Sequence, residues 1–182
     1  SFTFADGAYY ADRFLTEINS GTAGTGTISQ QTFTPATAPV AGYEGTYYLR
    51  YNLTATGTAT TNYLGTRLED VRLFAGQTAT FSFWAKADSA RTVTSEIIQR
   101  FGSGGSSAVT TAGSSHSLTT SWQRFTATIS VPSISGKTIG TGSSLYPRLY
   151  WTAAAGATID TWGWQLEAGS TVTPFQTATG IK

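Results

Sequence analysis

Gln77-Thr78-Ala79-Thr80-Phe81-Ser82-Phe83-Trp84-Ala85-Lys86-Ala87 decides the fold class of this chain. Phe81, Phe83 and Ala85 alternate with Thr80, Ser82, Trp84 and Lys86. A period of two places successive side chains on opposite faces of a strand, so one face here is core and the other is not. The second face is unusual. It sets a Trp beside a Lys among small hydroxyl residues, which is the composition of an aromatic platform.

Composition extends this reading to the whole chain. Thr, Ser and Gly supply about two-fifths of the 182 residues, and β-branched Thr suits exposed strand faces while Gly suits turns. Charged residues are 12%, aromatics 13%, and the net charge is +1. A near-neutral chain offers no electrostatic footprint for nucleic acid or an anionic membrane. No run of roughly 18 apolar residues is present to span a bilayer, and no basic n-region followed by an apolar h-region opens the chain. With no cysteine, neither disulfides nor thiolate metal sites arise. No methionine occurs, even at position 1, so either an initiator Met was removed ahead of Ser1 or the chain is a piece of a longer protein, the second being expected from the aromatic run that opens at once with Phe2 and Phe4.

The chain reads as one domain over residues 1–182. Strands are expected at 27–33, 47–56, 63–73, 78–87, 92–101, 121–131, 145–152 and 157–167. Turn clusters lie at Gly21 to Gly26, Thr34 to Gly45, Gly76-Gln77, Gly102 to His116 and Pro132 to Ser144. Ala11–Ile18 and Leu68–Phe74 are helix-like or irregular. Many short strands between Gly-rich turns imply an all-β antiparallel sandwich, a jelly roll. Tyr47, Leu49, Tyr51 and Leu53 are expected to face the core, with Tyr48, Arg50 and Asn52 opposite. Phe125, Ala127, Ile129 and Val131 point inward. Leu145, Leu149 and Trp151 oppose Tyr146, Arg148 and Tyr150, and Pro147 marks an edge strand or a bulge.

Catalytic chemistry is poorly supplied. His116, the single histidine, lies among serines with no acidic neighbour and reads as a solvated loop residue, since a base needs an orienting partner. No nucleophile elbow, phosphate loop or histidine metal cluster appears. A glycosidase needs two carboxylates about 5–10 Å apart, and Glu96 with Asp160 is a candidate pair. The competing expectation is that Glu96 pairs with an Arg on its own face, such as Arg100. Asp160 is also the candidate ligand of a structural Ca²⁺, together with loop carbonyls and Asp6.

Binding chemistry is better supplied. Sugars combine flat C–H faces with polar edges, so their sites mix aromatic rings with hydrogen-bonding side chains. Tyr48, Arg50, Asn52, Trp84, Lys86, Glu96, Arg100, Arg148 and Tyr150 form such a set and line one concave sheet if their strands are neighbours. The competing expectation is burial of the same residues at a subunit contact.

Further motifs carry a family resemblance: Tyr10-Ala11-Asp12-Arg13-Phe14, Arg67-Leu68-Glu69-Asp70-Val71, Ala75-Gly76-Gln77, Phe81 to Ala87, Phe101 to Ser106, Thr120 to Arg124, Val131-Pro132-Ser133, Gly136 to Gly140, Gln165 to Gly169 and Thr173-Pro174-Phe175. In this order they resemble a β-sandwich module of tailed-phage virion appendages such as tail fibres. More loosely, the chain is similar to jelly-roll carbohydrate-binding modules of polysaccharide-degrading enzymes. It departs from the phage pattern at Phe14, often Trp, at Gln176, often Glu, and in stopping at Gly180-Ile181-Lys182.

The phage resemblance implies a non-enzymatic virion module. It would recognise a host-surface glycan and contact other virion subunits, with a homotrimer among its assemblies, and would be made in the host cytoplasm without a signal peptide. The alternatives are a decoration, capping or trimerisation domain and an accessory module of a glycoside hydrolase. The resemblance also makes Phe81 to Ala87 a framework strand. Trp84 then becomes more structural, and ligand contact moves towards Tyr48, Arg50, Arg148 and Tyr150.

Overall fold

A computed structural model describes residues 2–3, 5–9, 14–41 and 45–176. Tyr10 to Arg13, with most of the helix-like Ala11–Ile18 stretch's first half, and the terminal Gly180-Ile181-Lys182 lie outside the described residues. The strands are β1 (Phe2–Thr3), β2 (Phe14–Ile18), β3 (Thr25–Thr32), β4 (Tyr47–Ala55), β5 (Thr61–Thr66) and β6 (Thr78–Ala87). They continue with β7 (Arg91–Arg100), β8 (Val109–Leu118), β9 (Gln123–Ser130), β10 (Ser144–Thr152) and β11 (Ala157–Ala168). Among the described residues there is no helix, and hence none long and apolar enough to cross a membrane.

Two antiparallel sheets pack face to face. The six-stranded sheet runs β1-β3-β4-β11-β6-β9 and the five-stranded sheet β2-β5-β10-β7-β8. The alternation in Thr78–Ala87 works as expected: Phe81, Phe83 and Ala85 are buried between the sheets with Tyr51, Leu53, Leu64, Val93 and Leu149. Ala127, Ile129 and Val131 join Ile97 and Leu145 in a second apolar cluster. Each wholly buried large side chain is worth about 1.5–3 kcal/mol over exposure, so this interior suffices without disulfides.

Several expectations need correction. Tyr47 is 51% exposed, because the buried alternation of β4 begins only at Leu49. Phe14–Ile18 is a strand, paired with β5 from Phe14↔Thr66 to Ile18↔Asn62. The strand expected over 63–73 stops at Thr66, and residues 71–76 are turns. The Gly102 to His116 loop ends early: Val109–Leu118 is β8, paired along β7. It was masked by composition, since a Ser/Thr/Gly-rich edge strand lacks the apolar beats that mark a strand. His116 consequently sits in the core, only 6% exposed. Pro147 lies on β10, between β5 and β7, and not on an edge strand. The β5 ladder begins only at Arg148↔Gly65, so Pro147 stands beyond its end, where the missing N–H is tolerated.

In β11 a bulge shifts the register between Trp162↔Trp84 and Gln165↔Ser82. Gly163 there has φ +64, a left-handed conformation that favours glycine. The extra residue turns Trp162 outward and Trp164 inward, the latter against Phe81 and Phe14 with centroids 5.0 and 4.8 Å away.

Candidate functional site

The nine residues that sequence chemistry groups together belong to two opposite outer faces. Tyr48, Arg50 and Asn52 on β4 and Trp84 and Lys86 on β6 stand on the six-stranded sheet. Glu96 and Arg100 on β7 and Arg148 and Tyr150 on β10 stand on the five-stranded one. They do not line one concave sheet, since the core separates them.

On the six-stranded sheet, β11 brings Asp160 opposite both Arg50 and Lys86. Arg50 donates from Nε to Oδ1 at 2.7 Å and from Nη2 to Oδ2 at 2.8 Å. Lys86 Nζ lies 3.7 Å from Oδ2. Asp160 is buried and its charge is matched from both sides. Arg50 also donates to the Tyr48 hydroxyl at 3.3 Å, while burial, and then Asp160, raise the Tyr48 pKa. Asn52 accepts from Thr158 Oγ1 at 3.2 Å. The aromatics here pack on one another: Phe33, itself buried, is 4.8 Å from Tyr48, 5.5 Å from Trp122 and 5.9 Å from Trp162. Phe175 covers Trp162 at 4.6 Å. Trp84 is half-buried beside Gly163, with its indole N–H buried and without a partner. This face is a second small aromatic core and not an open platform.

The calcium pairing is not formed. Asp160 is held by Arg50 and Lys86, while Asp6 accepts from the Ile18 backbone N–H beside β2, on the other sheet. No group of three potential ligating side chains occurs among the described residues. Glu96 and Asp160 likewise face away from each other across the sandwich, so they form no glycosidase pair.

The five-stranded sheet carries a different arrangement. Glu17 on β2 accepts from Arg67 at 3.1 Å, from Arg100 at 2.9 and 2.7 Å, and from Arg148 at 3.0 Å. Arg148 also donates from Nε to Glu96 at 2.5 Å, its directly opposed neighbour. The expectation that Glu96 pairs with an arginine holds, but the partner is Arg148. Arg148 further lies over the Tyr63 ring, with Cζ 3.8 Å from its centroid. Tyr63 neighbours Tyr150 at 5.8 Å. The floor is apolar: Leu15, Ile98 and Tyr146 form a buried cluster. Tyr146 is ringed by Arg100, Arg148 and Arg67 at 5.1, 5.5 and 5.8 Å. Burial, followed by the nearby Glu17 charge, raises its pKa far above the usual phenol range. Over this floor opens a groove of about 380 Å³ bounded by Asp6, Glu17, Asn19, Tyr63, Arg100 and Arg148.

Glu17, Tyr63, Arg67 and Tyr146 were not singled out by sequence. Glu17 lay in a stretch without strand signals, and Arg67 follows β5 in a segment whose position depends on the chain's tertiary path. Tyr146 shares its alternation with Arg148 and Tyr150, and that was the available clue.

His116 has no catalytic setting. Its Nε2 is 3.0 Å from Ser95 Oγ, and its ring lies edge-on to Phe83 at 5.1 Å. Burial lowers its pKa.

The profile of the family described as "Carbohydrate binding domain" (CBM_4_9) matches residues 19–142, more than half of the chain. The chain belongs to this carbohydrate-binding family. Among solved structures, this carbohydrate-binding domain is similar to the C-terminal family 22 carbohydrate binding module of Clostridium thermocellum Xyn10B. The two are 18% identical, with 91% of each chain covered and a TM-score of 0.59. It is also similar to a xylan-binding domain from family 22, at 16% identity over 94% of this chain and 96% of that one, with a TM-score of 0.58. The enzymatically active domain of a tailspike protein of bacteriophage CBA120 is 12% identical, with a TM-score of 0.54 over 86% of this chain. The likeness spans 19% of that tailspike chain. At these identities the likenesses bear on the fold alone, the jelly-roll sandwich. No curated protein matches the chain.

Proposed function

We propose that this carbohydrate-binding domain takes its glycan in the groove on the five-stranded sheet and catalyses no reaction on it. The observation that carries the choice of face is the Glu17–Arg148–Glu96 network, which lies beside half-exposed Tyr63 in the wall of an open groove, with half-exposed Tyr150 5.8 Å from Tyr63. Hydrogen-bonding groups fixed by one another, with rings at the margin, suit the polar edges and C–H faces of a sugar. On the opposite face the rings are spent on each other. Pre-organisation lowers the ordering cost of binding, yet a groove this shallow supports only weak single-site affinity.

The setting we propose is a tailed-phage appendage, where many copies recognise a host-surface glycan and multiply a weak affinity by effective concentration. The ordered series of sequence motifs supports this reading. In it, other virion subunits or two sister chains of a homotrimer would meet the aromatic face of the six-stranded sheet. The second reading, an accessory module of a glycoside hydrolase, is favoured by the similarity to a module of Xyn10B. A glycan array followed by calorimetry on the isolated chain tests the binding itself. Tyr150→Ala and Tyr63→Ala should each weaken binding about tenfold, as loss of about 1.4 kcal/mol of ring contact requires. Full affinity in both variants would move the site off this sheet.

A further inference from the structure

We infer that the groove selects a glycan bearing carboxylate groups, a uronic-acid-type sugar, with Arg67 and Arg100 as the residues that read the charge. This rests on the proposal that the five-stranded sheet is the glycan face and names its substrate class.

The argument is a count of donors and acceptors. A carboxylate offers about four acceptor positions, and each arginine carries five N–H donors. Glu17 already accepts four bonds, from Arg67, Arg100 and Arg148, so its capacity is spent. Glu96 is engaged by Arg148. Three guanidinium groups thus face two carboxylates, and the deficit falls on Arg67 and Arg100. The Nε–H of each is buried without a hydrogen-bond partner, and each side chain is about a third exposed, so a ligand meets that exposed part and not the Nε. Buried donors without acceptors are costly, the more so when charged.

These two arginines border a second hollow of about 340 Å³, which shares Arg100 with the first. Its lining brings in the hydroxyls of Ser103, Ser106, Thr141 and Ser144 and no carboxylate. Asp6 lines the first groove with Glu17 and accepts from the Ile18 N–H. Glu69 and Asp70 line a neighbouring hollow that shares Arg67, Gly142 and Ser144 with this one, and Asp70 there is bound to Arg72. The planar fork of a guanidinium matches a carboxylate in two-point geometry. The rings support the same conclusion. Arg148 covers a face of Tyr63, and Tyr146 is wholly buried. The groove therefore sets cations against its rings, with Tyr63 and Tyr150 half-exposed beside them.

The test is calorimetry on the isolated chain. The probes are polygalacturonate, alginate and glucuronoxylan, each beside its carboxyl-reduced counterpart. At least one acidic polymer should bind tenfold or more tightly than its reduced form, and the preference should shrink in 0.5 M NaCl, about where the screening length falls towards 4 Å. Arg67→Met should abolish the preference. Arg100→Lys, which keeps charge but not the fork, should reduce it. Equal affinity within every pair, or binding only to reduced or neutral polymers, overturns the inference and leaves the glycan reading standing. Binding to no polysaccharide, charged or neutral, overturns both.

Discussion

Asp160 gives both carboxylate oxygens to cations of neighbouring strands, and neutralising it tests how far those charges depend on it. Asp160→Asn leaves Arg50 and Lys86 facing each other without a counter-charge. We expect a loss of about 2–3 kcal/mol, less than the roughly 3–5 kcal/mol for breaking a fully buried pair because Arg50 and Lys86 are about a third exposed, read as a lower urea midpoint. His116 supplies a pH signature of its own. Burial holds its folded pKa below the ordinary 6.5, so in the window between the two values the unfolded chain binds a proton that the folded chain refuses. Stability is full above about 6.5 and declines as pH falls towards the folded value. Asp70, held low by the Arg72 backbone N–H, and Asp88, held low by Arg91, add their losses only at more acid pH. The decline in urea midpoint between pH 7.5 and 5.5 should therefore flatten in His116→Asn. At this scale the sequence was legible wherever a side chain's role follows from its own strand, as for Phe83 or Leu149. It was illegible where the role is set by a strand remote in sequence, as for Glu17, whose three arginine partners arrive from beyond Thr66.

Strand β2 is joined to the rest of its sheet by one ladder, to β5, and Glu17 adds bonds that reach past β5 to β10 and β7. Removing those bonds should loosen the element before the sandwich. In Glu17→Gln, amide exchange at Leu15, whose N–H faces β5 while that of Thr16 is bonded to Ala8, should accelerate at least tenfold relative to amides of β6, corresponding to about 1.4 kcal/mol of local stability. The element scale also shows which strands announce themselves. Strands β4, β6 and β9 have one buried and one polar face and read directly as alternation. The edge strand β8 has Ser, Thr and Gly on both faces, and β2 is too short to show a period. The division of the nine candidate residues between two sheets could not be read, because strand order is not written in any one strand: β11 stands between β4 and β6, while β7 joins β10.

Across the whole molecule, the five tryptophans are distributed away from the proposed groove. Trp84 and Trp162 stand on the outer face of the six-stranded sheet with Trp122 packed beside them. Trp151 and Trp164 pack in the interior. A glycan that quenches tryptophan emission strongly would therefore occupy the wrong face. Binding in the groove should leave the emission within a few per cent of its starting value while heat is released in calorimetry and Tyr63 and Tyr150 ring signals move in NMR spectra.

The bulge in β11 also has an arithmetical side. Up to Thr161 the odd-numbered residues of that strand face the core; from Trp164 the even-numbered ones do. Gly163 is thus a change of parity. Were the count to run on uncorrected, Gln165 and Glu167 would be driven inside and Leu166 out. Substitution and deletion at this position consequently differ in kind. Gly163→Ala keeps the extra residue, forces a left-handed Cβ to 3.0 Å from Trp84, and should cost about 1–2 kcal/mol in urea unfolding. Deleting Gly163 removes the surplus residue together with the need for it, so that Leu166 still falls inside. Deleting one residue between Thr158 and Thr161 instead sets two errors of parity in series, turning the strand's first half inside out.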